Sequence, residues 1–307
     1  MTPLRRAMRE YVALRRSVGY RLQYAAASLE QFATFLEQRR AKVITVALAL
    51  EWALHGRPVQ PATWAQRLSF VRAFARHWRA SDPRTEVPPP GLLPFRSRRA
   101  RPHLYTVAEI RQLLAAARAL PSLRGATYAC LFGLLAVTGL RIGEALALTP
   151  DDVDLHAGIL TIRQAKFGKS RLVPVHASTQ HALRAYARRR EVWLAGRPAS
   201  TFFIDDRGDR LPCRIVRRVF AALTRQIGLR ASSTAHGPRL HDFRHRFAVE
   251  TLLRWYRAGH DAERRLPILA TYLGHAHVTY TYWYLSACPE LMGLARRRLE
   301  RRWEAHA

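Results

Sequence analysis

Apolar and aromatic residues recur at intervals of three and four through the first 80 positions: Leu4, Met8, Tyr11 and Leu14, then Leu29, Phe32, Phe35 and Leu36, then Leu68, Val71, Phe74 and Trp78. That period puts each set on one face of a helix. Breaks at 17–20, at 40–44 and at Gly56-Arg57-Pro58 divide the stretch into four predicted helices. Next comes Pro83, then Pro88-Pro89-Pro90-Gly91, Pro94 and the basic run Arg96-Ser97-Arg98-Arg99-Ala100-Arg101. Prolines extend and stiffen a chain, so 83–103 reads as a linker between a helical unit at 1–82 and a larger one at 104–307. Thr106-Val107-Ala108-Glu109 has the form of a capping box ahead of Ile110, Leu113 and Leu114. Helices are predicted over 126–137, 141–148, 179–193, 213–227, 242–257 and 262–273, with a terminal one from Pro289. Strand-like stretches at 159–164 and 171–175 flank Phe167-Gly168-Lys169-Ser170, a hairpin signal. The fold class is therefore mainly α with a small antiparallel β-sheet (α+β).

Composition narrows the partners. The chain of 307 residues is 49% hydrophobic, which excludes a disordered basic tail, yet its formal net charge is +29 with only 22 acidic residues. Such an excess on a folded protein points to a polyanion, nucleic acid first. A genome favouring arginine codons explains arginine over lysine but not the shortage of acids. Arg98, Arg99 and Arg101 suit a phosphate backbone, although a loop with solvated charges accounts for each of them individually. Cys130, Cys213 and Cys288 are far apart and form no Cys-x-x-Cys pair, so neither a disulfide framework nor a zinc ribbon is indicated, and a reducing cytoplasm fits. The longest apolar run, 128–137, is too short to span a bilayer, and residues 1–20 lack the apolar core of a leader; a soluble, unprocessed protein is expected.

Candidate chemistry gathers in the last third. His241 and Arg244 are spaced to share a helix face, and Tyr284 lies nine residues after His275. Imidazole, guanidinium and phenol together suit attack on a phosphodiester: tyrosine can hold the phosphate as an ester, and arginine matches its oxygens with a planar fork. A surface helix with Asp242 near its N-terminus explains the cluster His241-Asp242-Phe243-Arg244-His245-Arg246 equally well. A metal is disfavoured, because no glutamate follows His241 as in His-Glu-x-x-His and no cysteine lies near the histidine pairs. Of the 51 basic residues only Lys42, Lys166 and Lys169 are lysines, and two of them lie in one hairpin. A perturbed lysine can release a proton where arginine cannot, as a general acid for a departing hydroxyl must. Hairpin solubility would leave the same pattern.

Four segments together resemble the tyrosine recombinases, or phage-type integrases: Thr138-Gly139-Leu140-Arg141-Ile142-Gly143-Glu144; Lys166-Phe167-Gly168-Lys169-Ser170-Arg171-Leu172-Val173-Pro174; His241-Asp242-Phe243-Arg244-His245; and Leu273-Gly274-His275 with Tyr284. They keep the family's order over about residues 104–290. The resemblance implies that Arg141 and Arg244 clamp the scissile phosphate, that His241 and His275 add donors, and that Lys166 protonates the leaving 5′ oxygen. Tyr284 would attack to give a 3′-phosphotyrosyl link, which a hydroxyl from a partner strand would reverse. Glu144 matches the acidic position that supports the site, and Lys169 and Arg171 join the expected DNA contacts. The spacing after His275 selects Tyr284 over Tyr280 and Tyr282, leaving Tyr280 a packing role, while His245 and His277 drop out as ligands.

The resemblance further implies no cofactor or metal, a helical core-binding domain that clamps double-stranded DNA at a specific site with the catalytic domain, and a homotetramer on synapsed DNA. Sister recombinases from a mobile element are compatible partners. The segment 291–299 matches a last helix that often packs on a neighbouring protomer, though ordinary packing on its own chain explains the same amphipathic stripe. Two other readings remain: a type IB topoisomerase that nicks and reseals without exchange, and a non-catalytic DNA-binding accessory protein that kept the fold.

Overall fold

The computed structural model describes residues 2–20, 22–56, 59–95, 102–163, 170–231, 237–284 and 288–304. It divides into two compact units, Met1–Ala100 and Arg101–Ala307. In the first, the apolar periodicity becomes α1 (Pro3–Ser17), α2 (Gln23–Gln38), α3 (Val46–Leu54) and α4 (Pro61–Trp78). The side chains of Thr2 and Thr45 cap α1 and α3 by accepting backbone N–H groups three residues on. Met8, Leu29, Phe32, Leu36, Ile44, Trp52, Leu68, Val71 and Phe74 form one core, each large side chain contributing roughly 1.5–3 kcal/mol by its burial.

The proline-rich stretch expected to start an extended linker at 83 is instead fastened to this unit. Arg72 donates to the carbonyls of Pro88 and Pro89 at 2.7 and 2.8 Å. Glu86 bonds Ile44 through its backbone N–H and accepts the N–H of Val46 with its carboxylate, and Leu93 packs on the core. Prolines leave carbonyls unpaired, and a nearby arginine uses them. Arg98, Arg99 and Arg101 lie outside the described residues.

The second unit opens with α5 (Val107–Arg118), whose capping box between Thr106 and Glu109 is present. Helix α6 (Ser122–Thr138) follows, buried along most of its length, then the single turn α7 (Ile142–Ala145). The sheet has three strands in the order β1 (Val153–Asp154), β2 (Ile159–Ile162) and β3 (Arg171–Pro174), all antiparallel, with Ile162 opposite Arg171 and Ile159 opposite Pro174. β1 was not expected, since two residues are too few to alternate. The rest comprises α8 (Ala177–Leu194), α9 (Cys213–Gln226), α10 (Leu240–Arg257), α11 (Ala262–Leu273), α12 (Thr279–Tyr282) and α13 (Pro289–Glu304).

Helix α6 packs against α5, α8 and α10, so the loop after it is held beside the N-terminal half of α10. A second cluster, with Ala248, Leu252, Leu269, Leu273, Tyr284 and Leu291, joins α10, α11 and α13. Helix α13 docks on its own chain through fully buried Leu291 and through ion pairs Arg257–Glu290 and Arg298–Asp261. Among the described residues, no helix is long and apolar enough to cross a membrane.

Candidate active site

The site is built where two helices end. Helix α6 stops at Gly139, which adopts the left-handed φ of 63° that favours glycine. The chain then turns through buried Leu140 so that Arg141 caps α7. Glu144, at the third position of α7, reaches back to the Arg141 N–H at 3.0 Å and to its guanidinium at 2.8 Å. Helix α11 stops in the same way at Gly274, φ 69°.

The last carbonyls of α11 have no partner within the helix, and three arginines supply one. Nε of Arg171 donates to the Tyr272 oxygen at 2.8 Å, an Arg244 nitrogen to Leu273 at 2.7 Å, and an Arg141 nitrogen to Gly274 at 3.1 Å. Arg244 also donates to the carbonyl of Gly139 at 2.9 Å. Both helix ends thus present their negative poles to guanidinium groups. Glu144 adds a full charge, held by Arg141 on one side and by Arg171 at 2.9 Å on the other. Burial opposes ionisation of this carboxylate, but hydrogen bonds from the two arginines prevail and keep its pKa below the ordinary value.

Arg244 is 1% exposed. Burial, then repulsion from Arg141, lowers its pKa to about 10, while Tyr284 and Glu144 act the other way, Tyr284 partly through a side-chain hydrogen bond. Tyr284 is buried, whereas Tyr280 and Tyr282 are about half exposed, so of the three alternating tyrosines this one belongs to the cluster. Its ring stacks on His275 at 5.9 Å and meets His245 edge-on at 5.5 Å.

His241 sits one turn before Arg244 on α10, open to solvent on one side, with its ring edge-on to His245 at 4.8 Å. Partial burial and the charge of Arg244 lower its pKa. The same causes, with Arg141 adding to them, push His275 down to about 3; burial and then His241 take His245 to about 4. All three imidazoles are therefore neutral at pH 7. Among the described residues, no three His, Cys, Asp or Glu side chains group as a metal site would require.

The structure therefore brings together Arg141, Glu144, His241, Arg244, His275 and Tyr284. Lys166 and Lys169 fall outside the described residues. Arg171, expected to touch DNA, has a side chain 9% exposed, with both ends of its guanidinium engaged, by Tyr272 and by Glu144. The signal was present, because Arg171 is two residues from buried Val173 and so on the inward face of β3. His245, set aside as a metal ligand, packs on Tyr284 instead. Its spacing from His241, one helical turn, was the signal for its place beside the cluster.

Residues 104–290 match the phage integrase family. The Sinorhizobium fredii protein y4rB, of the integrase/recombinase class, is 54% identical over 99% of both chains. Tyrosine recombinase XerD of Caulobacter vibrioides is 32% identical over 77% of this chain and 74% of its own. Among solved structures, the Tn1549 transposon integrase in complex with transposon right end DNA aligns over 98% of this chain and 99% of its own, with a TM-score of 0.67 and 18% identity. A lambda integrase dimer bound to a core site covers 92% of this chain and 76% of its own, with a TM-score of 0.59 and 18% identity. These two structures are similar in fold.

Proposed function

Since the chain belongs to the phage integrase family, the tyrosine recombinases, and is a site-specific DNA recombinase, we propose that its strand cleavage and rejoining run through Tyr284 at the cluster of Arg141, His241, Arg244 and His275. The observation that carries this reading is the burial of Tyr284 against Arg244 and His275, beside guanidiniums already fixed on backbone carbonyls.

In the first step Tyr284 gives up its phenolic proton to solvent, and its oxygen bonds to the scissile phosphorus while the bond to the 5′ oxygen breaks. Lys166 delivers a proton to that oxygen. A 3′-phosphotyrosyl link remains, and a 5′ hydroxyl from the partner strand reverses the step to join the new strands. No water, metal or nucleotide is consumed, because the energy of the phosphodiester is kept in the tyrosyl ester. Arg141 and Arg244 hold the non-bridging oxygens, with His241 and His275 as neutral donors. Each such donor is worth about 3 kcal/mol toward the pentacoordinate transition state, by the scale of oxyanion-hole deletions.

The partner is double-stranded DNA, gripped as a homotetramer on two synapsed duplexes, with sister recombinases of a mobile element as further partners and the cytoplasm as the setting. Incubation with a nicked suicide substrate tests the assignment. The native protein is expected to yield a covalent protein–DNA adduct on a denaturing gel and Tyr284→Phe none; an adduct that survives that substitution overturns it. Strand exchange between two duplexes separates this function from a type IB topoisomerase, which would only relax supercoils, and an absent adduct would favour a non-catalytic accessory protein.

A further inference from the structure

Four threonines in the helices of this protein spend their hydroxyl protons on backbone carbonyls of the preceding turn: Thr34 on Glu30, Thr138 on Leu134, Thr224 on Ala221 and Thr251 on Phe247. Thr281, in α12, differs. Its Oγ1 lies 2.8 Å from Nδ1 of His275, and the residue is fully buried, at 0% exposure. We propose that Thr281 is a positioning residue that fixes the tautomer of His275, donating to Nδ1 so that Nε2–H is the hydrogen presented to the scissile phosphate.

A buried hydroxyl proton needs an acceptor. Among the described residues, the side-chain oxygen of Thr281 has one partner, the imidazole. Its proton therefore lies on the line to Nδ1, and a neutral imidazole that accepts there carries its hydrogen on Nε2. Burial, and then the positive charge of Arg244 and Arg141, keeps the ring neutral, so the choice of tautomer decides whether it offers the phosphate a hydrogen or a lone pair. A lone pair turned toward an anionic phosphate would repel it.

The same residue also ties this donor to the nucleophile. The Thr281 carbonyl accepts the Tyr284 N–H at 3.1 Å, and the Thr281 N–H donates to Val278 at 2.7 Å. One buried residue thus holds the imidazole with its side chain and the turn that bears Tyr284 with its backbone. This inference rests on the reading of His275 as a phosphate donor.

Two measurements test it. In protein with ¹⁵N-labelled histidine, two-bond proton–nitrogen spectra at pH 7, assigned by the signal lost in His275→Asn, are expected to show a single Nε2–H tautomer for His275. Thr281→Val, which keeps the shape and removes the hydroxyl, is expected to give a mixture, and Thr281→Ser the native pattern. In single-turnover adduct formation, Thr281→Val is expected to be slower by on the order of 10- to 100-fold, the range for groups that orient another ligand. Thr281→Ser restores most of the rate, and DNA affinity stays within about twofold across the set. An Nδ1–H tautomer in the native protein, or native-rate cleavage by Thr281→Val, overturns the inference while leaving Tyr284 as nucleophile. Should Thr281→Val fail to fold, the tautomer of the native protein decides alone. Absence of any adduct from the native protein would overturn the reading of the site itself, whichever tautomer is found.

Discussion

A guanidinium buried as deeply as that of Arg244 is tolerable because every direction around it is answered: the Gly139 and Leu273 carbonyls take hydrogen bonds, and Tyr284 and Glu144 favour its charge. The histidines beside it solve the same problem by staying neutral, and this has a pH signature. His275 at about 3 and His245 at about 4 sit below the ordinary imidazole value of roughly 6.5. The unfolded chain takes up protons below that value where the folded chain does not. Their contribution to stability is therefore complete above pH 6.5 and is eroded as the pH falls toward 4 and then 3. Thermal melts followed by circular dichroism should show Tm dropping from pH 7 to pH 5, a window above most carboxylate titrations, with a shallower drop in His275→Asn. A flat or rising Tm would contradict the neutral histidines. At this scale the sequence was most legible where residues share a helix turn, as His241 and Arg244 do, and where a fixed distance picks one of several tyrosines. It was least legible for Thr281, whose partner is six residues away and whose role depends on the direction of a hydroxyl.

Helix ends carry more of the site than helix faces. Gly139 and Gly274 each close a helix in the left-handed conformation, and each lends a carbonyl to an arginine. A Cβ on Gly274 would lie 2.6 Å from a terminal nitrogen of Arg171, so Gly274→Ala meets both the backbone penalty, about 1–2 kcal/mol, and a displaced guanidinium. Urea unfolding should report a loss of about 1–3 kcal/mol, and adduct formation should slow more than tenfold. Gly143→Ala is the control: it is helical, its Cβ would meet nothing within 4 Å, and it should be neutral or slightly stabilising. Equal losses from the two substitutions would mean that the α11 turn has no special part. The long helices, α10 with its His241 and Arg244 among them, could be read from their periodicity, but the short elements beside the site could not. The helix expected over 141–148 is only the turn Ile142–Ala145. Helix α12 is four residues long, too short for a period to register.

The two units have cores of their own, in a molecule whose formal charge is +29. Part of that charge is paired within the fold: Arg5 with Glu30 and Glu37, and Arg171 with Glu144. The remainder sets a salt dependence. If 6–10 phosphates are contacted, DNA affinity should fall by roughly 10³–10⁵ between 50 and 200 mM salt. Fluorescence anisotropy over that range checks this, and a slope near zero would remove phosphate contacts as the main source of affinity. Charge and fold class were open to inspection in the chain itself. The attachment of residues 83–93 was not, since it depends on Arg72 finding two proline carbonyls some 16 residues away. The turn at Tyr272, Leu273 and Gly274 also decides when conformational entropy is surrendered. An arginine side chain carries roughly 2 kcal/mol of rotamer freedom, and three arginines are stilled on consecutive carbonyls as the chain folds. DNA therefore meets Arg141 and Arg244 already ordered. As charge gathers on the phosphate, the groups that stabilise it have nowhere left to move.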